Sequence, residues 1–517
     1  MVRATTTFPS SIARLAVVAS LGAATGCGSA NVLSSSDEQA GERLRPLRVA
    51  AFANGTNVSY FEGIEPSYES QSAAAVLGDR AFIAYRAGDP DYTSYFALPS
   101  GAEDQRVCPG ASQLAYSEGN PSTGAFARTR VTAPEGMALL WGPVAIAAFR
   151  GRVLASALAS PAERFAALAN DEGCLRTSAV EGAAYPASVP SSGALTSACL
   201  VALDGGGASC VSRGEHVLDG GSLAATQHYL YAAYRDVTAA SVALFRSASG
   251  ADFVELPVPA TGVDGDVRIA ASGGRLFVVY ASGSELRLLR YDEGRRSWEP
   301  PLVVARNANR RHVPERSDRP PLAVPAFTIG MLEGAPPALA VFWQRRVGST
   351  TRTALRGAIC DTAHGGACRS PSHLRTGKAS DTFLPSIVSV AKRAADGSLT
   401  YRHLLSYWRD TRSRTGPVGL RVAEFDARRL RARWLIGHRQ TPCAMLGDWG
   451  AGDASFVMGQ GGENPIVYRA FTDSTQGPCE ARSFRASPQH VSIVRLPELW
   501  KRLPRDAELG RRVTPAR

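Results

Sequence analysis

Three stretches of the chain share one pattern and decide the fold: AVLGDRAFIAYRAGD (75–89), AATQHYLYAAYRD (224–236) and IAASGGRLFVVYASG (269–283). In each stretch, a short apolar run leads through a turn into a second apolar run that contains a tyrosine near its end. Two short β-rich runs joined by a tight turn are typical of an antiparallel hairpin. The pattern therefore predicts a chain built from repeated hairpins.

Further copies extend the pattern along the chain: TIGMLEGAPPALAVFWQRR (328–346), VSVAKRAADGSLTYRHLLSYWRD (388–410), FVMGQGGENPIVYRAFTD (456–473) and the weaker VAIAAFRGRVLASALAS (144–160). Additional apolar runs, such as VALFRS (242–247) and LRLLRYD (286–292), follow several hairpins. Units of three to four antiparallel strands indicate an all-β fold, a six- or seven-bladed β-propeller of antiparallel four-stranded blades. A linear array of β-sandwiches is the alternative.

Six hairpin copies end in an aromatic residue that we expect at equivalent places in successive blades. These residues are Tyr85, Tyr234, Tyr280, Trp343, Tyr407 and Tyr468. In a propeller they would lie at the same end of a middle strand and pack between neighbouring sheets.

The amino terminus carries the features of an export signal. Arg3 and Arg14 precede an apolar run, residues 15–24, which is too short to span a bilayer as a stable helix. The small residues that lead into Cys27 resemble the lipobox of bacterial lipoproteins, in which the cysteine is acylated and becomes the first residue of the mature chain. The resemblance implies a lipid anchor at Cys27 in the cell envelope, and Gly28 favours the outer membrane. An ordinary signal peptide with a chance cysteine is the alternative.

These features divide the chain into four predicted parts. They are a signal peptide (1–26), a lipidated cysteine with a flexible tether (27–47), a β-propeller domain (48–497) and a basic polar tail (498–517). Ser160-Pro161-Ala162-Glu163 has the pattern of a helical capping box, and it predicts a short helix that opens an insertion at about 161–220.

The remaining eight cysteines favour disulfide bonds, because an even number of cysteines in an exported protein is typical of bridged pairs. Local spacing suggests the pairs Cys199–Cys210 and Cys360–Cys368. The pairs Cys108–Cys174 and Cys443–Cys479 would follow.

The net charge of +11 comes almost entirely from arginine. Nucleic-acid binding would need a concentrated basic patch with interleaved aromatic residues. The nearest candidate, residues 306–319, contains acidic residues and lacks aromatic ones. We therefore expect no nucleic-acid partner, and the oligomeric state stays open.

Two segments resemble a known repeat. Residues 246–253 (RSASGADF) are similar to a degenerate Asp-box of the sialidase-like (BNR-repeat) propellers, with Ser249 in place of the aspartate. Residues 291–294 (YDEG), with Trp298 beyond them, are similar to a second copy, and the segment around Asp448-Trp449 resembles the closing blade of such propellers. The resemblance implies a structural turn between the outer strands of a blade.

Sialidase-like catalysis would need an arginine triad, a tyrosine nucleophile paired with a glutamate, and an acid aspartate. The Phe-Arg-Ile-Pro motif that opens such domains is not in the sequence. Arginines do follow or lie near the hairpin-ending aromatics, and they are candidates for an anion-binding rim: Arg86, Arg235, Arg345, Arg409 and Arg469. Alternatively, each arginine pairs with a nearby turn carboxylate.

Other chemistry finds little support in the sequence. A nucleophile elbow, a P-loop and an H-E-x-x-H motif are all missing from it. His364 lies between Cys360 and Cys368, but a small disulfide loop fits an exported chain better than a zinc site. We expect no catalytic residue, no cofactor and no metal. The sequence favours a membrane-anchored envelope lipoprotein whose propeller is a non-catalytic binding or scaffold module for a glycan or an envelope protein. A sialidase-like glycoside hydrolase acting on extracellular glycans is the alternative.

Overall fold

A computed structural model describes part of the chain, within the compact unit Leu44–Arg517. The described residues are 56–57, 73–87, 105–107, 113–120, 125–127, 130–132, 134–139, 144–163, 175–179, 188–190, 196–205, 207–308, 327–334, 336–346, 353–369, 381–393, 396, 398–410, 419–426, 431–436, 456–457, 467–473 and 489–495. The predicted signal peptide, lipidation site and tail lie outside them.

The described secondary structure consists of short strands numbered here in chain order. The first are β1 (Thr56–Asn57), β2 (Ala73–Leu77), β3 (Arg80–Ala87), β4 (Gln105–Val107), β5 (Gln113–Asn120), β6 (Ala125–Phe126), β7 (Arg130–Thr132), β8 (Met137–Leu139), β9 (Ala145–Phe149), β10 (Arg152–Pro161), β11 (Leu175–Ala179) and β12 (Ser188–Pro190). The next are β13 (Ser197–Ala202), β14 (Ala208–Ser212), β15 (Leu218–Ala225), β16 (Leu230–Asp236), β17 (Ser241–Ser247), β18 (Val254–Glu255), β19 (Val267–Ser272), β20 (Arg275–Ser282), β21 (Glu285–Asp292), β22 (Ser297–Trp298) and β23 (Leu302–Ala305). The last are β24 (Phe327–Leu332), β25 (Ala338–Arg346), β26 (Thr353–Asp361), β27 (Cys368–Arg369), β28 (Asp381–Arg393), β29 (Leu399–Asp410), β30 (Gly419–Asp426), β31 (Arg431–Ile436), β32 (Phe456–Val457), β33 (Val467–Asp473) and β34 (Gln489–Arg495).

These strands form antiparallel sheets in a propeller arrangement. Five successive sheets have described side chains on at least three strands, and we call them blades 1 to 5. Their strand orders are β2-β3-β5-β6 with β7 beside β5, β8-β10-β13-β14 with β9 beside β10, β15-β16-β17-β18, β19-β20-β21-β22 with β23 beside β21, and β24-β25-β26-β27. The innermost strand of each blade contacts that of the next, in the order β2, β9, β15, β19 and β24.

The core lies between the blades. In β20, Leu276, Val278 and Tyr280 pack against blade 3, while the alternate residues Phe277, Val279 and Ala281 pack against blade 5. Because side chains alternate across a strand, a strand that is buried on both faces must be apolar at nearly every position. This is why the second half of each hairpin copy reads as a continuous apolar run.

The predicted count of six or seven blades is wrong. The structure shows five blades among the sheets whose side chains it describes. The prediction equated every hairpin copy with a blade. The copies at 388–410 and 456–473 contribute to two further four-stranded sheets, β28-β29-β30-β31 and β1-β34-β33-β32. Most side chains of these two sheets lie outside the described residues.

The helix predicted from Ser160-Pro161-Ala162-Glu163 is wrong for its first two residues, which belong to a strand. Ser160 and Pro161 end strand β10, where they pair with Ala138 and Met137 of β8. Ser160 is fully buried, unlike a typical helix cap. The ladder to β8 therefore overrides the local capping pattern at these two residues, and Ala162 and Glu163, the last described residues of this segment, are helical.

The inserted segment is also shorter than 161–220. Residues 197–212 supply β13 and β14, which are the two outer strands of blade 2, and Leu218 begins blade 3. What remains includes β11 and β12, which form a small sheet with β4 from the β3–β5 connection.

Candidate functional site

The second strands end where the innermost strands begin, and this defines one end of the blades, here called the upper end. In blade 4 Tyr280 is paired with Val267, the first residue of β19, and in blade 5 Trp343 is paired with Phe327, the first residue of β24. In blade 3 Asp236 is paired with Leu218, the first residue of β15. Loops that cross this end can bring side chains of neighbouring blades together.

Three of the hairpin-ending aromatics occupy equivalent places at the upper end. Tyr234 packs against blade 2, Tyr280 against blade 3 and Trp343 against blade 4, and all three are buried. The Tyr234 hydroxyl is hydrogen-bonded to Ser156 of blade 2, and burial raises its pKa. Tyr85, Tyr407 and Tyr468 also lie on second strands, but their side chains are outside the described residues.

The basic rim is not exposed at blades 3 and 4. Arg235 is only 7% exposed, and it lies directly opposite Asp219 in the β15–β16 ladder. The position after Tyr280 is Ala281, so blade 4 contributes no arginine there. The other candidates, Arg86, Arg345, Arg409 and Arg469, lie on second strands and their side chains are outside the described residues.

The structure also reveals two equivalent carboxylates that the sequence analysis missed. Asp219 lies opposite Arg235 in blade 3, and the Ala281 amide donates to the Asp266 carbonyl oxygen at 3.1 Å, which places Asp266 opposite Ala281 in blade 4. Both side chains are fully buried. The available sequence signal for Asp266 was its place directly before an apolar strand, β19.

A charged cluster fixes the connection between blades 2 and 3 at the upper end. Asp236 is fully buried. It accepts hydrogen bonds from Arg213 and from the Ala239 amide, the latter at 2.8 Å, and it lies 2.7 Å from His216 Nδ1. Arg213 also lies 3.0 Å from Glu255. The charged groups of this cluster therefore pair with one another, and they hold the loop in place.

A second polar network lies at the opposite, lower end, between blades 4 and 5. Glu299 is 7% exposed and contacts His364 Nδ1 at 2.7 Å, the Gly365 amide at 3.1 Å and Arg290 at 3.4 Å. Arg290 also donates to the carbonyl oxygens of Asp361 and Gly366. Burial alone would raise the pKa of Glu299, but these three donors together hold it below its ordinary value.

Disulfides are present at two of the expected pairs. Cys199 is bonded to Cys210 and Cys360 to Cys368. Since the sulfurs on both sides of His364 are bonded to each other, they are not available as zinc ligands. The pairs Cys108–Cys174 and Cys443–Cys479 lie outside the described residues, where the prediction stands untested.

The two segments compared with Asp-boxes lie in turns between the third and fourth strands, in blades 3 and 4. In blade 3 the Ser249 hydroxyl accepts from the amides of Ala251 and Asp252, each at 3.2 Å. In blade 4 Asp292 accepts from the Arg295 amide at 3.0 Å, which holds the pKa of Asp292 below its ordinary value. These side chains bind their own turns.

Known structures give the following comparisons. A glycoside hydrolase aligns with a TM-score of 0.27 and 11% identity, over 54% of this chain and 87% of its own. A structure described as "NanB plus Optactamide" aligns with a TM-score of 0.37 and 11% identity, over 86% and 70%. A thermostable family-43 glycoside hydrolase aligns with a TM-score of 0.28 and 10% identity, over 53% of this chain and 88% of its own. All three TM-scores are below 0.5, so the propeller assignment stands on the sheets themselves.

The sequence matches no family profile. No curated protein is similar to it at a significant level.

A tyrosine–glutamate pair of the kind that sialidase-like catalysis needs does exist, but at the lower end. The Tyr231 hydroxyl donates to Glu293 at 2.8 Å, and Thr226 donates to the same oxygen at 2.6 Å. Tyr231 is fully buried. Its burial, followed by the hydrogen bond to Glu293, raises the pKa of Tyr231, so the hydroxyl stays protonated. A nucleophile needs the reverse shift and access to substrate.

The described residues contain no group of three or more His, Cys, Asp and Glu side chains placed to hold a metal ion. They also contain no helix long and apolar enough to cross a membrane.

Proposed function

We propose that this chain is a lipid-anchored protein of the bacterial envelope whose propeller is a non-catalytic binding or scaffold module. The ligand would be a glycan or an envelope protein. The degenerate Asp-box turns support a distant relation to sialidase-like propellers that keeps the fold without the catalytic set.

One observation carries the non-catalytic reading: three carboxylates at the upper end of blades 3 and 4 are sealed from solvent. Asp219, Asp236 and Asp266 are each fully buried, and Glu255 lies 3.0 Å from Arg213. A glycosidase needs one carboxyl group that reaches the leaving oxygen and a second that reaches the anomeric centre or a water. The three buried aspartates cannot make those contacts, and Glu255 is engaged by Arg213.

The test measures binding and turnover on the same full-length chain. We expect saturable binding to immobilised glycans or to an envelope extract, and no hydrolysis of aryl glycosides, sialosides included. Hydrolysis that is lost in Asp219→Asn but retained in the matched variant Glu118→Gln, on an outer strand of blade 1, would contradict the proposal.

The second candidate, a glycoside hydrolase acting on extracellular glycans, is favoured by one observation. Asp219 and Asp266 occupy equivalent positions in neighbouring blades at the upper end. Glycoside hydrolysis needs a pair of carboxyl groups that flank the scissile bond. If an opening of this end exposes them, Asp219→Asn and Asp266→Asn should each abolish turnover in a chain that still folds, as urea unfolding of each variant checks.

The anchor is tested separately at Cys27. Because the thiol is the acylation site, Cys27→Ser should prevent lipid attachment and leave uncleaved precursor or soluble protein. The measurement is partition into a detergent phase together with incorporation of labelled palmitate. Ser29→Ala, two residues away, serves as the control and should behave as wild type. A Cys27→Ser chain that still enters the detergent phase with label would rule out the anchor.

A further inference from the structure

The two disulfides occupy equivalent places in blades 2 and 5. Each joins residues directly opposite each other on the third and fourth strands: Cys199 with Cys210, and Cys360 with Cys368. Their Cα–Cα distances, 4.0 and 3.9 Å, are nearly the same. The chain therefore contains two bridges of the same kind, which can be compared directly.

The environments of the two bridges differ on the outer strand. Cys210 is exposed on β14, the edge strand of blade 2, whereas its partner Cys199 is fully buried between blades 1 and 2. Cys368 is partly buried and packs against the core between blades 4 and 5.

The loop of the second bridge is also held by its neighbours. Arg275 donates to the Thr362 carbonyl oxygen at 2.7 Å, and Arg290 donates to the Gly366 carbonyl oxygen at 2.6 Å. Glu299 accepts from the Gly365 amide. Three side chains of blade 4 thus cover the turn between Cys360 and Cys368, while the described hydrogen bonds and ion pair of the turn at 203–207 come from its own blade.

We propose that Cys199–Cys210 is a thiol-exchange site, at which Cys210 Sγ reacts with the thiolate of an external thiol or dithiol protein. Thiol–disulfide exchange requires the attacking sulfur to reach the disulfide, so access selects the site. The inference holds whichever ligand the propeller binds.

The exchange proceeds in two balanced steps. The external thiolate attacks Cys210 Sγ, a mixed disulfide forms, and the Cys199–Cys210 bond breaks with its electron pair on Cys199 Sγ, which takes a proton from solvent. A second external thiolate then attacks the external sulfur of the mixed disulfide and releases Cys210 as a thiol. Two thiols are oxidised to one disulfide, and one protein disulfide is reduced.

Burial of the leaving sulfur does not separate the two bridges. Cys199 and Cys360 are both fully buried, so a thiolate forming on either is disfavoured by the same kind of surroundings. The difference between the bridges then comes from access to Cys210 and Cys368.

Opening this bridge would act on the upper end of the propeller. Strand β14 ends at Ser212, and the next residue, Arg213, is held by Asp236 and Glu255. His216 contacts the same aspartate. Without the covalent link, only the β13–β14 ladder holds β14, and this loosens the loop that these two side chains attach to blade 3.

The experiment treats the folded, oxidised full-length chain with limiting dithiothreitol and quenches samples with an alkylating reagent. Trypsin cleaves after Arg and Lys, so each bridge falls within a single peptide, residues 177–213 and 357–369. Mass spectrometry then reports each bridge separately. We expect the 177–213 peptide to gain its two alkyl groups about tenfold faster than the 357–369 peptide, because access limits the exchange.

Two controls define the result. In guanidinium chloride the two peptides should react at similar rates, which assigns the difference to the fold. Arg290→Ala, which uncovers the second turn, should speed reaction of the 357–369 peptide and leave the first unchanged. Equal rates in the folded chain, or faster reaction of 357–369, would overturn the proposal. Amide exchange after selective reduction should rise at 208–217 and stay constant at 361–369.

Discussion

Gly220 and Gly221 interrupt the innermost strand of blade 3 at the point where it passes an aromatic ring. The register of the β15–β16 ladder shifts between Asp219 and Ser222, which makes this a β-bulge. Gly221 has a φ of +150°, and a Cβ atom there would lie 3.3 Å from Tyr234 Cε1 and 3.5 Å from Ser156 Oγ. The bulge therefore allows Tyr234 to reach across to blade 2.

Gly221→Ala should lower the free energy of unfolding by about 2–3 kcal/mol, because it adds crowding to a backbone conformation that L-residues disfavour. Gly205→Ala is the matched control, since Gly205 also has a positive φ but nothing lies within 4 Å of its Cβ position. Urea unfolding of both variants gives the comparison. Equal losses would show that the Tyr234 contact does not limit position 221.

Glu299 gives the fold a defined response to acid. Because its pKa is lowered in the folded state, it stabilises the fold above its unfolded pKa, and this contribution is lost as pH falls through the lower folded value. Glu299→Gln should cost about 2–3 kcal/mol at pH 7, since Arg290 would stay buried without its carboxylate. The difference from wild type should shrink below pH 4.5.

The measurement is the unfolding free energy of both proteins between pH 3 and pH 7. Glu118→Gln is the control, because its ion pair with Arg80 is largely exposed and should contribute much less. If the difference in unfolding free energy between wild type and Glu299→Gln stays constant over this range, the charge of Glu299 does not contribute and only its packing does.

At the scale of elements, the innermost strands of neighbouring sheets approach closely between β24 and β28. The Glu333 amide donates to the Ser389 hydroxyl at 2.8 Å, and Ser389 in turn donates to the Met331 carbonyl oxygen at 3.2 Å. The Ile269 amide makes the corresponding bond to Ser222 between blades 3 and 4, at 3.0 Å. Serine hydroxyls thus link strands that belong to different sheets.

Gly330 allows this approach at β24, since a Cβ atom there would overlap Ile387 Cγ2. Gly330→Ala should therefore destabilise the fold by about 1–3 kcal/mol. Ile387→Leu removes the Cγ2 branch at constant volume, and the double variant should recover at least half of the loss. A double-mutant cycle in urea measures the coupling, and additive losses would show that the two side chains do not meet.

At the scale of the whole molecule, the repeat in the sequence predicted the blades because each middle strand is buried on both faces. AVFW in blade 5 and FVVY in blade 4 show that rule directly. The local disulfides were predictable for a similar reason, since both close short turns. These features depend on neighbours in sequence.

The candidate sites were not predictable, because they join residues far apart in sequence. Glu299 and His364 come from different blades, as do Tyr231 and Glu293. Asp219 lies opposite Arg235 because the bulge at Gly220–Gly221 shifts the register of the β15–β16 ladder. The pattern at Ser160 failed for the opposite reason, since a strand from elsewhere, β8, outweighs the local helix signal.

The disulfide content is a prediction for the whole chain. If the eight cysteines after Cys27 are bridged, the mature protein should show no titratable thiol in denaturant. Val107 is paired with Leu175, which brings together the residues that directly precede Cys108 and follow Cys174 in sequence. This pairing supports the third bridge. Two or more thiols per chain, measured with 5,5′-dithiobis(2-nitrobenzoic acid), would contradict the four-bridge arrangement.

The two disulfides also make some blades more resistant to mechanical force than others. A force that pulls the outer strand of blade 3 or 4 opens a hairpin closed only by hydrogen bonds and side-chain packing. The same force on blade 2 or 5 stops at a covalent bond, and the residues between its cysteines are shielded from extension. Within the run from blade 2 to blade 5, blades 3 and 4 are therefore expected to open first under tension, because the outer hairpins on either side of them are closed by a covalent bond.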